Sequence, residues 1–149
     1  MATYNKFNTF VGDLAGGVHD LSGNSDADAL NVYLSNTTPD ASANLVKSDL
    51  AEITNENGYT GPQDTQNSSS ESSGTFTLEG TSLTITASGG SVGPFQYVVL
   101  YNETPTSPAD PLIAWWDYGS SVTLNDGESF TIKFNDATVD SAGTIFTLS

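Results

Sequence analysis

Two hydrophobic periods divide the chain. From Asn5 to Leu21 the apolar residues Phe7, Phe10, Val11, Leu14, Val18 and Leu21 recur every three or four positions or lie side by side. This is the spacing of one face of an α-helix. The pair Gly16–Gly17 interrupts it, since each glycine costs a helix about 1 kcal/mol relative to alanine. The pattern therefore predicts a helical arm over residues 1–22 that weakens at Gly16. So short a helix is marginal alone and needs a surface against which to bury Phe7, Phe10 and Leu14.

Beyond the arm the period shortens to two. Leu30, Val32 and Leu34 alternate with Asn31 and Tyr33, which marks a half-buried strand. Ser48 to Thr54 offers a serine N-cap, acids at Asp49 and Glu52 and apolar Leu50 and Ile53, enough for one or two helical turns. Residues 61–74 are dominated by Ser, Asn, Gln and Asp, with Glu71 alone interrupting the serines from Ser68 to Ser73. That composition predicts a flexible loop inside the domain.

From Thr75 onward nearly every segment reads as strand. Leu83, Ile85 and Ala87 alternate with Thr84 and Thr86, and Phe95 to Tyr101 is apolar on both faces, as expected of a central strand covered on each side. Leu112 to Asp117 is placed to pair with it as a hairpin. Asn125-Asp126-Gly127 is a strong turn signal, and Phe130, Ile132 and Phe134 alternate beyond it. The expectation is a mainly β domain over residues 23–149: an antiparallel sandwich or jelly roll of about eight strands.

Charge changes the picture more than size does. Three lysines and no arginine face eighteen acids, for a net charge of −15. Nucleic-acid binding needs clustered cations, and so does adsorption to an anionic membrane. Neither partner is expected. Charged residues are nevertheless only 14% of the chain, against about 25% in an average domain. The Ser, Thr, Asn and Gly that replace them suit an uncharged polar β surface. The first ten residues lack a basic stretch followed by an apolar one, so no secretion signal is expected there.

The inventory of reactive side chains is thin. There is no cysteine and only one histidine, His19, which argues against thiol chemistry, imidazole-rich metal centres and a histidine-activated serine. His19 is expected to be an exposed polar residue. Asn24, Asp26 and Asp28 alternate like the opening of a calcium loop, yet Ala29 and Ser35 stand where that loop needs Gly and Glu. No metal or cofactor is expected. Acid pairs suited to glycoside hydrolysis arise by chance among eighteen carboxylates. Trp115 and Trp116, followed by Asp117 and Tyr118, carry more information. Adjacent strand residues face opposite ways, so no more than one of the two tryptophans can serve a given face.

Several stretches share a texture with one family. Leu30 to Pro39 (L-N-V-Y-L-S-N-T-T-P), Leu50 to Tyr59, Gly93 to Asn102 (G-P-F-Q-Y-V-V-L-Y-N) and Trp115 to Glu128 resemble small structural proteins of tailed-bacteriophage virions, as does the opening Tyr4 to Phe10. The resemblance implies a non-enzymatic decoration or cement protein on the capsid surface. Its partners would be the major capsid protein and other copies of itself. With that function, Phe7, Phe10, Val11 and Leu14 are the expected docking stripe. The alternative is a carbohydrate-binding adhesin module of a head or tail fibre, with Trp115 or Trp116 and Tyr118 stacking on sugar.

Overall fold

The computed structural model describes residues 2–135 and 142–149. Every strand pairing in it is antiparallel. Strand β1 is Tyr4–Lys6, followed by helix α1 at Thr9–Ala15 and strand β2 at Leu30–Ser35. Short β3 (Gln63–Asp64) and β4 (Ser68–Ser72) precede β5 (Thr75–Thr81) and β6 (Leu83–Thr86). The longest strands are β7 (Val92–Asn102) and β8 (Leu112–Leu124), and β9 (Ser129–Ile132) and β10 (Ala142–Leu148) complete the set. The protein is mainly β, as the alternation predicts, with ten described strands rather than eight.

One layer is a five-stranded sheet in the order β1-β8-β7-β2-β3. The other combines the sheet β10-β5-β4 with the pair β6-β9. Asn135, just past β9, joins these two pieces by exchanging backbone hydrogen bonds of 3.1 and 2.8 Å with Thr144 of β10. Between the layers lies the main core. Leu30, Val32 and Leu34 of β2 and Val98 and Leu100 of β7 meet Leu78, Ile85, Ile132, Ile145 and Phe146 from the opposite layer.

Strand β7 pairs with β8 on one side and β2 on the other. Its alternate residues Tyr97, Val99 and Tyr101 point away from the main core into a second cluster with Phe7, Tyr33, Leu50 and Leu112. The loop segment between β2 and β3 covers that outer face. It is tied down by Ser35 Oγ donating to the Ala51 carbonyl (2.6 Å) and Tyr33 Oη donating to the Leu50 carbonyl (3.1 Å). Lys47 pairs with Glu52 at 2.9 Å, and its ammonium lies 5.0 Å from the centre of the Tyr33 ring. Glu52 in turn accepts from Tyr59 Oη, which accepts the backbone N–H of Leu34. A polar relay thus runs from the surface to the backbone of a buried strand, and every member has a partner, as burial requires.

Three expectations need correction. Residues 1–22 are not a separate helical arm. Tyr4–Lys6 is the end strand of the large sheet, in register with Trp116 to Ala114 of β8, and α1 is only seven residues long. Ser48 to Thr54 holds just a 3₁₀ turn over Lys47–Asp49. The serine-rich segment contains β3 and β4, and β4 pairs residue for residue with β5 from Ser68↔Glu79 to Ser72↔Thr75. Serine has little preference for strands, but the sheet edge supplied by β5 overrides propensity.

Burial of the N-terminal aromatics sets a stability test. Phe7 and Phe10 are 0% and 2% exposed, whereas Val11 is 54% exposed. Phe10→Ala is expected to cost about 3–5 kcal/mol in chemical denaturation, and Val11→Ala to stay within about 0.5 kcal/mol of wild type.

Candidate functional site

The two sides of the sandwich are finished differently. At the β3 side the layers are stitched together. The backbone N–H and hydroxyl of buried Thr65 both donate to the Leu30 carbonyl, and the Thr65 carbonyl accepts from Thr81 N–H at 2.7 Å. Asn67 adds a bond from Leu30 N–H to its side-chain oxygen and one from its amide to the Asp28 carbonyl.

At the β1 side the layers part around a groove of about 590 Å³. Its walls come from β1, β7, β8, β9 and β10 and from Lys133 to Asn135 just past β9. The chain has two tryptophans, six tyrosines and seven phenylalanines, and six of these rings line the groove: Tyr4, Trp116, Tyr118, Phe130, Phe134 and Phe146. Val98, Ile132 and Phe146, at 8–9%, are the most exposed members of the core, and all three lie here. Lys133 also lines the groove, and no acid does so among the described residues. This is a gap in the packing with the size and lining of a binding site.

The rings are held edge to face. Trp116 lies 5.8 Å from both Tyr4 and Phe134, and Tyr118 lies 5.6 Å from Phe130. Burial pushes the Tyr4 phenol up to about 12, so it stays neutral at ordinary pH. Tyr118 follows Trp116 on the same face of β8 and meets Phe130 where the strand begins to bulge. Asp117 pairs with Tyr97 and Val122 with Phe95, which leaves Tyr118 to Ser121 outside the regular ladder. Gly119 sits there at φ +95, and its N–H donates to Asp117 Oδ1 at 2.7 Å. Tyr118 is 57% exposed at the rim.

The residues singled out from sequence are therefore divided. Trp116 and Tyr118 share the groove. Trp115 faces the opposite way, its ring 4.6 Å from Phe7 in the outer cluster. The expected docking stripe fails for Phe7 and Phe10, which their own chain covers; Leu14 packs partly against the core, and only Val11 is freely exposed. Tyr4, Phe130, Phe134 and Phe146 went unrecognised as groove residues. The alternation of Phe130 with Phe134 marked them as inward-facing, but nothing local in the sequence shows that the facing layer stops short.

His19 is buried, 5% exposed, rather than on the surface. Its Nδ1 lies 3.0 Å from the side-chain amide of Asn102, which also donates to Asp28 Oδ2 at 2.5 Å. Thr104 N–H donates to Asn102 Oδ1. That bond fixes the amide orientation, so Nδ1 is the acceptor and Nε2 carries the proton. Nε2 has no partner among the described residues. The cluster ties the segment after α1 to the end of β7. Among the described residues no group of three or more His, Asp or Glu is placed to hold a metal ion.

This histidine makes stability depend on pH. Burial lowers its pKa from the usual 6.5, and the negative charges of Asp13 and Asp28 offset that only in part. The unfolded chain then binds the proton more readily than the folded one, so stability rises with pH through this window. Melting temperature is expected to be level above about pH 7 and to fall as pH drops below about 6.5. His19→Gln should remove that component, as thermal melts between pH 8 and pH 5 would show.

No protein-family model, no curated protein and no solved structure matches this chain.

Proposed function

We propose that this chain is a non-enzymatic structural protein of a tailed-bacteriophage virion that binds the assembled capsid shell and stabilises it. The observation that carries the reading is the aromatic groove, where a partly open core meets solvent on an otherwise polar, acidic protein. An apolar recess of this kind favours a partner that fills it. The stretches from Leu30 to Pro39 and from Trp115 to Glu128 add the resemblance to virion proteins. A thiol-free, hydrogen-bonded sandwich suits service outside the cell, where cysteines oxidise, and the net charge of −15 keeps unassembled copies apart and soluble. The groove replaces the N-terminal stripe as the proposed docking surface.

A second reading has one observation in its favour. Trp116 and Tyr118 line the same groove, so a fibre adhesin could stack a sugar there; Trp115, on the other face, drops out of that reading.

The direct test places a charge at the groove mouth. Tyr118→Glu alters a largely exposed side chain, so its melting temperature should match wild type. Its affinity for purified shells lacking this protein is expected to fall about tenfold or more, which corresponds to 1.4 kcal/mol or more. Unchanged shell binding by a folded variant would remove the groove from the docking surface. Failure of the wild type itself to bind would remove the shell reading altogether.

A further inference from the structure

We infer that His19 is a latch: protonation of its ring frees the loop of residues 17–28 from the body of the sandwich and bares the unpaired side of β4. Nothing in this depends on the shell-binding reading. It goes beyond a general loss of stability in acid, because one segment opens while the two layers stay folded.

The latch is a matter of donors and acceptors. The Asn102 amide, at the end of β7, is oriented from two sides: Thr104 N–H donates to its Oδ1 at 3.1 Å, and its Nδ2 donates to Asp28 Oδ2. The same Nδ2 lies 3.0 Å from His19 Nδ1, and only a neutral ring can accept from it there. A protonated ring carries hydrogen on both nitrogens, so two donors meet. Turning the amide over gives no relief, since Oδ1 would then face the Asp28 carboxylate and Thr104 N–H would lose its acceptor. The charges acting on the ring are carboxylates, Asp13 of α1 and Asp28. Glu103, next to Asn102, accepts from the Asn31 amide instead. Asp13 and Asp28 attract an imidazolium, but Asn102 already occupies the position in front of Nδ1.

Asp28 also clasps the loop. Its Oδ2 accepts from Asp20 N–H at 2.8 Å, and its own N–H donates to the Asp20 carbonyl at 2.9 Å. Within the loop, Gly23 lies against β4, an end strand of its sheet. A Cβ on Gly23 would come within 2.6 Å of Ser69 Oγ and 3.2 Å of Ser69 N. That N–H lies on the side of β4 away from β5, because alternate residues turn outward in a hairpin closed by Ser72 and Thr75. Leu21, 6% exposed in the main core, opposes release. The open form is therefore a minority whose population rises with acid.

Hydrogen exchange by NMR on the full-length wild-type protein between about pH 7.5 and pH 5.0, with rates corrected for intrinsic pH dependence, follows the opening. The amides of Val18, Asp20 and Asp28, all hydrogen-bond donors, are expected to lose severalfold protection at the acid end. The ceiling is about thirtyfold, the advantage that a histidine of ordinary pKa gives an open state at pH 5.0. Small additions of urea should leave these rates unchanged while speeding Val99 and Leu100 of β7, the mark of local opening. The chain has no cysteine, so Ser69→Cys reports the β4 side: its thiol should react with dithiodipyridine faster at pH 5.0, relative to an unstructured cysteine peptide. His19→Gln, which takes up no proton, should abolish the pH dependence of both readouts. Equal loop protection at both pH values, loop exchange at pH 5.0 only together with β7, or a pH dependence retained in His19→Gln would each overturn the inference. Should the loop of that variant be open at every pH, the wild type decides. Its loss of protection must begin near pH 6.5 and level off as the His19 ring resonances finish titrating, and any other course overturns the latch.

Discussion

The fold depends on burying one strand from both sides. In β7, Val98 and Leu100 enter the core between the layers, while Tyr97, Val99 and Tyr101 enter the outer cluster. No residue from Tyr97 to Asn102 is more than 8% exposed. Each large apolar side chain so covered contributes roughly 1.5–3 kcal/mol. A strand apolar on both faces cannot lie at a sheet edge or on a wet surface, so it requires a partner strand on each side and a cover on each face. Strands β8 and β2 supply the first, and the opposite layer with the β2–β3 loop supplies the second. The Lys47–Glu52–Tyr59 relay follows from the same constraint, since covering the outer face with loop brings polar groups into partial burial where each needs a partner.

The same constraint leaves the far side of the sandwich less complete. Near β2 and β3 the layers are joined by Thr65 and Asn67. At the opposite side β1 spans only three residues against a β8 of thirteen. Past Trp116 the β8 edge bulges instead of continuing a flat ladder, and the pinned turn of Asp117 and Gly119 leaves no regular strand edge there. Such a bulge discourages edge-to-edge pairing with other sheets. The bulge thus blunts an edge beside Tyr118, which stands at the rim.

Much of the fold was legible in the sequence because the strongest signals were periodic. The strand at Leu30 to Leu34, the two-sided run Phe95 to Tyr101 and the pairing of that run with Leu112 to Asp117 all rest on side-chain burial. Strand β2 is nevertheless buried on both faces rather than half-buried, because the β2–β3 loop covers Tyr33. Where the reading failed, the deciding partner was distant in sequence. The helical spacing of Phe7 and Phe10 continued into a segment where pairing with β8 wins for Tyr4–Lys6. The serines of β4 become a strand only because β5 presents an edge. His19 is buried by Asn102 and Asp28, one of them more than eighty residues away. The groove was half legible. Opposite orientations for Trp115 and Trp116 follow from strand geometry alone, but the parting of the layers around Trp116 is a property of the whole sandwich.

Amide hydrogen exchange under native conditions, read residue by residue, tests this division most directly. The slowest amides are expected in β7 from Val98 to Tyr101 and in the facing residues of β2, exchanging only through global unfolding. Amides of β1, β9 and β10 around the groove should open through smaller, faster fluctuations. If β9 and β10 exchanged as slowly as β7, the sandwich would be closed with equal strength on both sides, and the groove would not be the place where the core is open to a partner.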